Sequence, residues 1–302
     1  MMNNYLITIV GPTAIGKTAL SIALATHFKT EILSSDSRQF FKEMNIGTAV
    51  PSTLELHQVP HHFIQNLSIH DKYSVGQFEK DAIGKLNQLF KKYNSVVMVG
   101  GSGLYVNAVL NGLDNFPEID STIRKRLKLQ LKEHGIIHLQ KQLKKLDIKT
   151  YQKIDLENHQ RVIRALEICI GTGKPYSSFL TDKASLRNFI PIKIGLTADR
   201  EIIYDRINQR VDNMIEKGLL NEVEKLFKYK DLNALQTVGY KELFSYLNGT
   251  ISLEFAIEEI KKNTRRFAKR QLTWYRKDKE IQWFDYKDDT QQIIDFLNQK
   301  IL

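Results

Sequence analysis

An eight-residue segment near the start of the chain constrains the fold more than any other feature. Residues 11–18 read G-P-T-A-I-G-K-T and fit the pattern G-x-x-x-x-G-K-[ST], between an apolar run at 5–10 and a helix-like segment at 19–25. The glycines let the backbone turn, so that successive N–H groups point at one spot at the positive end of the following helix. The segment therefore predicts a strand, a phosphate-binding loop and a helix, which begin an α/β fold.

The polar residues of this phosphate loop, residues 11–18, have separate expected tasks. Lys17 supplies a point charge for terminal phosphates, and the Thr18 hydroxyl is suited to Mg²⁺. The residues that we expect to bind the polyphosphate are Gly11, Pro12, Thr13, Ala14, Ile15, Gly16, Lys17 and Thr18. The motif predicts that a polyphosphate binds, but it does not say which one.

The charge balance and the cysteine content narrow the class of protein. The chain has 302 residues and a formal net charge of +10, which favours a polyanionic partner. Its single cysteine, Cys169, allows no internal disulfide and fits a reducing cytosol, so we expect a cytoplasmic protein. Apolar runs stay below the roughly 18 residues that a membrane span needs, and the first residues indicate a core strand and not a signal peptide.

Beyond the phosphate loop, apolar runs alternate with segments of helical spacing. We predict strands at 30–33, 95–99 and 192–196 and an amphipathic helix at 78–90. This order predicts a P-loop NTPase-like parallel sheet flanked by helices. Because ligands sit beyond the carboxyl ends of parallel strands, Asp36 would face the same crevice as Lys17. The alternative for Asp36 is that it only caps the next helix.

The strand at 95–99 has an unusual continuation. It runs into G-G-S-G-L-Y at 100–105, where an NTPase usually carries an acidic residue at the strand end. The absence of that acid weakens the hypothesis of ordinary ATP hydrolysis.

Between about residues 115 and 187 the strand signal disappears. The segment is rich in lysine and leucine and has few acids in its first part, so it predicts an inserted all-helical subdomain. Residues 1–114 and 188–302 would then form the α/β core. A solvated helical face and an anion-binding face explain the positive charges about equally well.

Two helices after the insertion also carry patterned basic residues. Arg206 and Arg210 stand four apart, a spacing that suits two guanidinium groups on one diphosphate or, alternatively, surface ion pairs. The last long helix, predicted at 257–277, carries two rows of basic residues that favour a phosphodiester-binding stripe. These rows are Lys261, Arg265 and Lys269, and Lys262, Arg266 and Arg270. Trp274, at this spacing, is more often a core residue than a platform for a base.

Six motifs in order along the chain resemble the tRNA dimethylallyltransferase family. They are G-P-T-A-x-G-K-T at 11–18, D-S-R-Q at 36–39 with M-N-I-G-T-A at 44–49, P-H-H at 60–62, G-G-S-G-L-Y at 100–105, N-H-Q-R-V-I-R-A-L-E at 158–167 and V-G-Y-K-E at 238–242. The first motif occurs in many unrelated proteins, whereas the ordered set is specific. The resemblance implies transfer of the dimethylallyl group from dimethylallyl diphosphate to the N6 amine of the adenosine 3′-adjacent to the anticodon in tRNA, with release of diphosphate.

The resemblance also implies roles for individual residues. Asp36 would be the general base, while Lys17, Mg²⁺ near Thr18, and Arg206 or Arg210 would stabilise the leaving diphosphate. The implied tRNA contacts are Asp36, Ser37, Arg38, Gln39, Ser102, Arg124, Gln160, Arg161, Val162, Ile163 and Arg164. The helical insertion would hold the anticodon stem-loop. With one cysteine and an end at Leu302, the chain is similar to the compact bacterial form, and we expect a monomer.

Two other functions stay open at this point. One is a P-loop kinase that acts on a small metabolite, with Asp36 as the base toward a hydroxyl. The other is a non-catalytic RNA-binding module that uses the phosphate loop as a nucleotide-dependent switch. The sequence also leaves open whether ATP enters the donor site and which of the two arginines is the main diphosphate ligand.

Overall fold

A computed structural model describes residues 3–181 and 186–301 of the chain. The strands are β1 (Tyr5–Val10), β2 (Ile32–Ser34), β3 (His61–His62), β4 (Ser95–Val99), β5 (Ile190–Thr197) and β6 (Gln282–Asp285). The helices are α1 (Lys17–His27), α2 (Thr53–Gln58), α3 (Val75–Leu89), α4 (Gly103–Asn111), α5 (Ser121–Leu146), α6 (Ile148–Lys153), α7 (His159–Thr172), α8 (Arg200–Glu216), α9 (Leu219–Leu226), α10 (Tyr240–Leu247), α11 (Leu253–Tyr275) and α12 (Thr290–Lys300). Short 3₁₀ turns lie at Tyr176–Phe179, Phe227–Tyr229 and Asn233–Leu235.

The described strands form one sheet in the order β3-β2-β4-β1-β5-β6, with every neighbouring pair parallel. In β1 all six residues are buried, as a central strand covered on both faces requires. Parallel neighbours need crossover connections, and helices supply them. The predicted parallel sheet flanked by helices is confirmed.

Alternate residues of β1 face two different hydrophobic layers. Tyr5, Ile7 and Ile9 pack with residues of α1, α8 and α12 on one side. Leu6 and Val10 pack with residues of α3 and α4 on the other. A third cluster joins α9, α10 and the first half of α11. The phosphate loop leaves β1 at the carboxyl edge of the sheet, so both layers hold it in place.

The chain divides into two compact units. Residues 1–111 with 187–302 form the α/β unit, and residues 112–186 form the helical unit. Sequence analysis placed these boundaries at 114/115 and 187/188. Residues 1, 2 and 302 of the expected core, and residues 182–185 of the expected insertion, lie outside the described residues.

The helical unit has its own core. Leu127, Leu139 and Leu143 of α5 pack against Val162 and Leu166 of α7. Gly135 interrupts α5 with φ +74°, so two helices meet there at a kink. Glycine adopts this left-handed conformation without the steric cost that other residues meet.

Sequence analysis missed the two edge strands, β3 and β6. With two and four residues, they are too short to show a hydrophobic period. None of the helices in residues 3–181 and 186–301 has both the length and the apolar character that crossing a bilayer requires.

Candidate active site

A cavity of about 870 Å³ opens in the α/β unit at the carboxyl edge of the sheet. Residues 13–18 of the phosphate loop line it together with Asp36, Gln39, Arg206 and Arg210. These residues come from β1–α1, the end of β2, and α8, which are far apart in the sequence. The structure thus brings together the candidate phosphate ligands and the candidate base that sequence analysis named.

Two glycines shape the phosphate loop. Gly11 has φ +144° and Gly16 has φ +109°, both in the region that favours glycine. A Cβ atom on Gly11 would lie 2.6 Å from the carbonyl oxygen of Leu196 on β5, so a side chain at this position would collide with the neighbouring strand. The loop can therefore pass close to β5 and turn into α1, whose N-terminus faces the cavity.

Lys17 is folded back onto its own loop. Its Nζ donates hydrogen bonds to the carbonyl oxygens of Gly11 at 3.1 Å and Pro12 at 2.7 Å. Burial, and then the nearby charge of Arg210, lower the pKa of Lys17 to about 7, against the opposing effect of Asp36. An anion in the cavity would reverse this balance, because it favours the charged ammonium.

The two arginines of α8 differ in what they contact. Arg206 donates from Nε to the carbonyl oxygen of Ala14 at 2.8 Å, and its guanidinium lies 5.2 Å from the ring centroid of Tyr286. Arg210 makes only a long contact of 3.4 Å, from Nη1 to the Thr13 hydroxyl. Burial lowers the pKa of Arg210, while Asp36 opposes that shift. Each guanidinium thus makes one hydrogen bond to the phosphate loop, a short one from Arg206 and a long one from Arg210, and each keeps its other N–H donors.

Asp36 sits just past the end of β2 and is partly exposed to the cavity. Its Oδ1 accepts a hydrogen bond from the backbone N–H of Arg38 at 3.1 Å, and its own N–H donates to the Ser34 hydroxyl at 3.3 Å. These bonds form a tight turn. Asp36 does not cap a regular helix, because the residues that follow it, 37–40, form a turn instead.

The residues after Asp36 are held by other parts of the α/β unit. Ser37 contacts the Ser102 hydroxyl through its N–H and its hydroxyl, both at 3.1 Å. Arg38 donates from Nη1 to the carbonyl oxygens of Asn233 and Ala234, at 3.0 and 2.7 Å. Much of the donor capacity of Arg38 therefore serves the protein itself, so its expected contact with tRNA stays a prediction.

Gln39 is held by a loop that sequence analysis had noted only as a motif. Its Nε2 donates to the carbonyl oxygens of Thr48 at 3.2 Å and Ala49 at 3.0 Å. Glu222 of α9 fixes the same loop, accepting bonds from the N–H groups of residues 45, 46 and 47 at 2.8–3.0 Å. The hydroxyl of the buried Tyr240 donates a hydrogen bond to Glu222 Oε1 at 2.6 Å. The conspicuous V-G-Y-K-E motif thus helps to position one wall of the cavity.

Sequence analysis missed Gln271, a buried residue of α11. Its Oε1 accepts from the Thr13 N–H at 2.8 Å, and its Nε2 donates to the Gly101 carbonyl oxygen at 3.0 Å. A Cβ on Gly101 would collide with Nε2, so glycine at this position allows the amide to pass. Gln271 therefore joins the phosphate loop to the glycine turn that replaces the usual acidic residue. No local pattern could have indicated a contact across 258 residues.

The remaining candidate residues lie in the helical unit. Gln160 and Arg161 are exposed at the start of α7, whereas Val162 and Ile163 are buried in its core. Arg124 and Arg164 share one oxygen of the buried Glu167, at 3.3 and 2.9 Å. The expected contact of Val162 and Ile163 with tRNA stays a prediction, although the structure buries both side chains in the core of the helical unit.

Comparison with known proteins decides the family. A sequence profile described as IPP transferase matches residues 39–278. The chain belongs to the IPP transferase family. A tRNA dimethylallyltransferase of Christiangramia forsetii is 62% identical over 300 residues, which cover 99% of each chain. The corresponding protein of Flavobacterium psychrophilum is 61% identical over 304 residues, again covering 99% of each.

Solved structures of IPP transferases extend this similarity to the fold. A full-length tRNA isopentenylpyrophosphate transferase from Bacillus halodurans matches with a TM-score of 0.74 and 38% identity, covering 99% of this chain and 97% of its own. A eukaryotic dimethylallyltransferase acting on tRNA matches with a TM-score of 0.82 and 27% identity, covering 99% and 79%. The resemblance inferred from the ordered motifs, and the assignment of the chain to the transferases, are confirmed.

Proposed function

We propose that the chain transfers the dimethylallyl group of dimethylallyl diphosphate to the N6 amine of the adenosine 3′-adjacent to the anticodon in tRNA. The bond between C1 of the donor and its diphosphate oxygen breaks, and a bond between C1 and N6 forms. The N6 proton passes to a base, and diphosphate leaves with the electrons of the broken bond. The observation that supports this function is the single cavity that Asp36 shares with the phosphate loop and Arg210.

Asp36 accepts the proton in this mechanism. The N6 lone pair is delocalised into the purine ring, so the amine is a weak nucleophile and gains from losing a proton as it attacks. General-base catalysis of this kind contributes about 10²- to 10⁴-fold in rate. The hydrogen bond from the Arg38 N–H to Oδ1 orients the carboxylate and leaves Oδ2 to face the amine.

The phosphate loop and Arg210 stabilise the diphosphate as it leaves. Negative charge on the bridging oxygen grows while the C–O bond breaks, and donors already in place lower the energy of that state. We take Arg210 as the main arginine ligand, because its bond to the Thr13 hydroxyl is long and leaves it freer to turn toward the diphosphate, whereas Arg206 is held by a short bond to the Ala14 carbonyl oxygen. Lys17 must turn from the Gly11 and Pro12 carbonyl oxygens toward the diphosphate.

The residues of the cavity fit a Mg²⁺ ion that is shared with the diphosphate. Thr18 lies in the first turn of α1 and lines the cavity, and within the described residues its hydroxyl makes no hydrogen bond to protein. The described residues contain no group of three or more His, Cys, Asp or Glu side chains placed to hold a metal by themselves. Mg²⁺ commonly uses one or two protein oxygens with substrate phosphates and waters. When bound, the ion neutralises diphosphate charge.

The enzyme acts as a cytoplasmic monomer. Two exposed polar side chains at the start of α7, those of Gln160 and Arg161, contact the anticodon stem-loop. Phosphate contacts from basic residues of the helical unit supply affinity and little sequence information. Ser37 and Ser102, joined by hydrogen bonds, contact the target nucleotide beside Asp36. The target base must leave its stack to reach the cavity, at a cost of a few kcal/mol.

The test uses purified protein, Mg²⁺, unmodified bulk tRNA and isotopically labelled dimethylallyl diphosphate. Digestion and mass spectrometry should find the label in adenosine, and Asp36→Asn should abolish turnover but retain tRNA binding. Asp36→Glu is the matched variant that keeps the carboxylate. If the Asp36→Asn variant incorporates label into RNA as fast as the parental protein, Asp36 is not the base. ATP consumption against a small-molecule panel, without label in RNA, would favour the kinase alternative.

A further inference from the structure

Each of the three residues that follow Asp36 is bound to a different part of the α/β unit. Ser37 contacts the turn before α4, and Gln39 contacts the loop at 48–49. Arg38 makes the link that spans the greatest distance along the chain, to carbonyl oxygens 195 and 196 residues away. The proposed base therefore lies in a turn whose position depends on distant elements, and a charged side chain makes the most distant link.

The two acceptors of the Arg38 side chain belong to a well-packed part of the fold. They are the carbonyl oxygens of Asn233 and Ala234, at 3.0 and 2.7 Å from Nη1, in the 3₁₀ turn between α9 and α10. Ala234 and Leu235 are buried in the third hydrophobic cluster. Hydrogen bonds from a charged donor are shorter and stronger than those between neutral groups. The guanidinium thus fastens the turn of Asp36 to a packed core.

The backbone of Arg38 completes the link to the carboxylate. Its N–H donates to Asp36 Oδ1 at 3.1 Å, so one residue binds the carboxylate through its main chain and the 233–235 turn through its side chain. Burial lowers the pKa of Arg38, while Tyr105 and Asp36 oppose that shift. Within residues 3–181 and 186–301, Arg38 forms no ion pair with a carboxylate. Its guanidinium therefore serves the two carbonyl oxygens, and a movement of Arg38 would move Oδ1 with it.

We propose that Arg38 is a positioning residue for Asp36, which holds the carboxylate where it meets the N6 proton. It acts through the carboxylate and not through a contact with RNA. The inference rests on the proposed function in taking Asp36 as the base. Displacement of a catalytic group by about 1 Å can cost about 10²-fold in rate. Arginine suits this link because its planar guanidinium holds several N–H donors in a fixed geometry, whereas the lysine ammonium is a point charge on a flexible stem.

The first experiment compares catalysis with binding in Arg38→Met, which keeps an extended side chain and removes its donors. Single-turnover transfer from labelled dimethylallyl diphosphate at saturating tRNA and donor should slow about 10- to 10²-fold. KM for the donor and the dissociation constant of an anticodon stem-loop RNA should stay at parental values. The slope of log K against log salt should also stay unchanged, whereas loss of one phosphate contact would lower it by about 0.7 to 0.9.

The second experiment measures the position of the turn without catalysis. Hydrogen exchange with mass spectrometry follows the peptide that contains residues 34–41. In Arg38→Met its amides should exchange about tenfold faster, because the turn has lost its link to residues 233–235 and opens more often. Arg38→Lys keeps a charged donor and should recover part of both the transfer rate and the protection from exchange.

The matched control is Lys42→Met, which removes an exposed charge four residues further along the same segment. It should leave the transfer rate, RNA binding and exchange of the 34–41 peptide at parental values. Circular dichroism and thermal unfolding check the fold of each variant. A general loss of stability would speed exchange throughout the α/β unit, whereas loss of the Arg38 link should act on residues 34–41.

Three results would overturn the proposal. One is transfer by Arg38→Met at the parental rate. Another is weaker RNA binding with a lower salt slope at an unchanged saturated rate, which would make Arg38 a tRNA contact. The third is unchanged exchange of the 34–41 peptide. Exchange does not depend on catalysis, so a parental protein that transfers no prenyl group, with the expected exchange in Arg38→Met, would reject the proposed function alone.

Discussion

Arginines are held in opposite ways in the α/β unit and in the helical unit. Arg210 is half-buried beside the phosphate loop, and no carboxylate lies within ion-pair distance of it among the described residues. In the helical unit, Arg124 and Arg164 share the buried Glu167 and remain about 40% exposed in their side chains. Arg161, on the same helix as Arg164, is exposed.

This difference separates two kinds of anion recognition. A cation that is partly shielded from water and has no carboxylate partner is stabilised by a bound anion, so we expect the cavity around Arg210 to favour an anion at one defined place. Exposed cations are screened by salt and interact with a charged surface from many positions. We therefore propose that the α/β unit binds a compact diphosphate and that the helical unit binds an extended polyanion. Variants that weaken one kind of recognition and leave the other unchanged distinguish the two units.

Removal of the Arg210 charge should have the largest effect. In Arg210→Gln we expect kcat to fall about 10²- to 10³-fold, because the site loses a donor to the charge that develops on the diphosphate. Arg206→Gln is the matched control on the next turn of α8 and should cost less, since Arg206 supports the Ala14 carbonyl oxygen. Single-turnover kinetics with saturating tRNA measure both. Equal losses in the two variants would contradict the assignment of Arg210 as main ligand.

Gln271→Met should raise KM for the donor about tenfold, because the Thr13 N–H and the Gly101 carbonyl oxygen lose their partner and the phosphate loop is no longer held. The dissociation constant for tRNA should not change. Gln271→Glu retains the acceptor for Thr13 and should recover part of the donor affinity. A fall in tRNA affinity, with KM for the donor unchanged, would show that Gln271 does not act through the loop.

Donor affinity should decrease as the pH rises above the pKa of about 7 that burial and Arg210 impose on Lys17. The neutral amine must regain a proton to bind a diphosphate, so the dissociation constant should rise up to about tenfold per pH unit. Lys17→Arg stays charged and should flatten this profile in calorimetric titrations between pH 6 and pH 9. An identical slope in both proteins would exclude Lys17 as its source.

The lowered pKa of Lys17 also makes the stability of the fold depend on pH. The pKa of Lys17 is lower in the folded than in the unfolded state, so the unfolded state binds more protons between about pH 7 and the ordinary value of 10.5. The contribution of Lys17 to the free energy of unfolding should therefore rise with pH over this window. Urea unfolding of Lys17→Met should lack that contribution.

Removal of one exposed charge in the helical unit should have the smallest effect. We expect Arg161→Gln to weaken tRNA binding about two- to fivefold at moderate salt and to lower the salt slope by 0.7 to 0.9, roughly one phosphate contact. The single-turnover rate at saturating tRNA should stay at the parental level. Lys80→Gln, an exposed charge on α3, is the control. A reduced rate with unchanged affinity would place Arg161 in the catalytic step instead.

Features that depend on neighbouring residues were predictable. The phosphate loop follows from glycines between an apolar strand and a helix, and β4 was predicted with its observed bounds, Ser95–Val99. The ordered motifs were enough to recognise the family, because they span most of the chain. Helix bounds moved by several residues, as α11 shows, since it begins at Leu253 where the sequence analysis expected a start at residue 257. The Ser252 side chain caps this helix by accepting a hydrogen bond from the Phe255 N–H, which a hydrophobic period does not reveal.

The order of residues along the chain is enough to set the available chemistry: a phosphate loop, an acid at the end of the next strand, and excess positive charge. Which side chains take part in that chemistry depends on how the chain packs. Packing buries Val162 in the core and leaves Trp274 exposed. It holds Arg206 by a short hydrogen bond to the Ala14 carbonyl oxygen and Arg210 by a long one to the Thr13 hydroxyl. It also brings Gln271 into contact with the phosphate loop. The physical reason is that loop geometry is set by bonds between near neighbours, whereas side-chain partnership depends on how whole helices pack against the sheet.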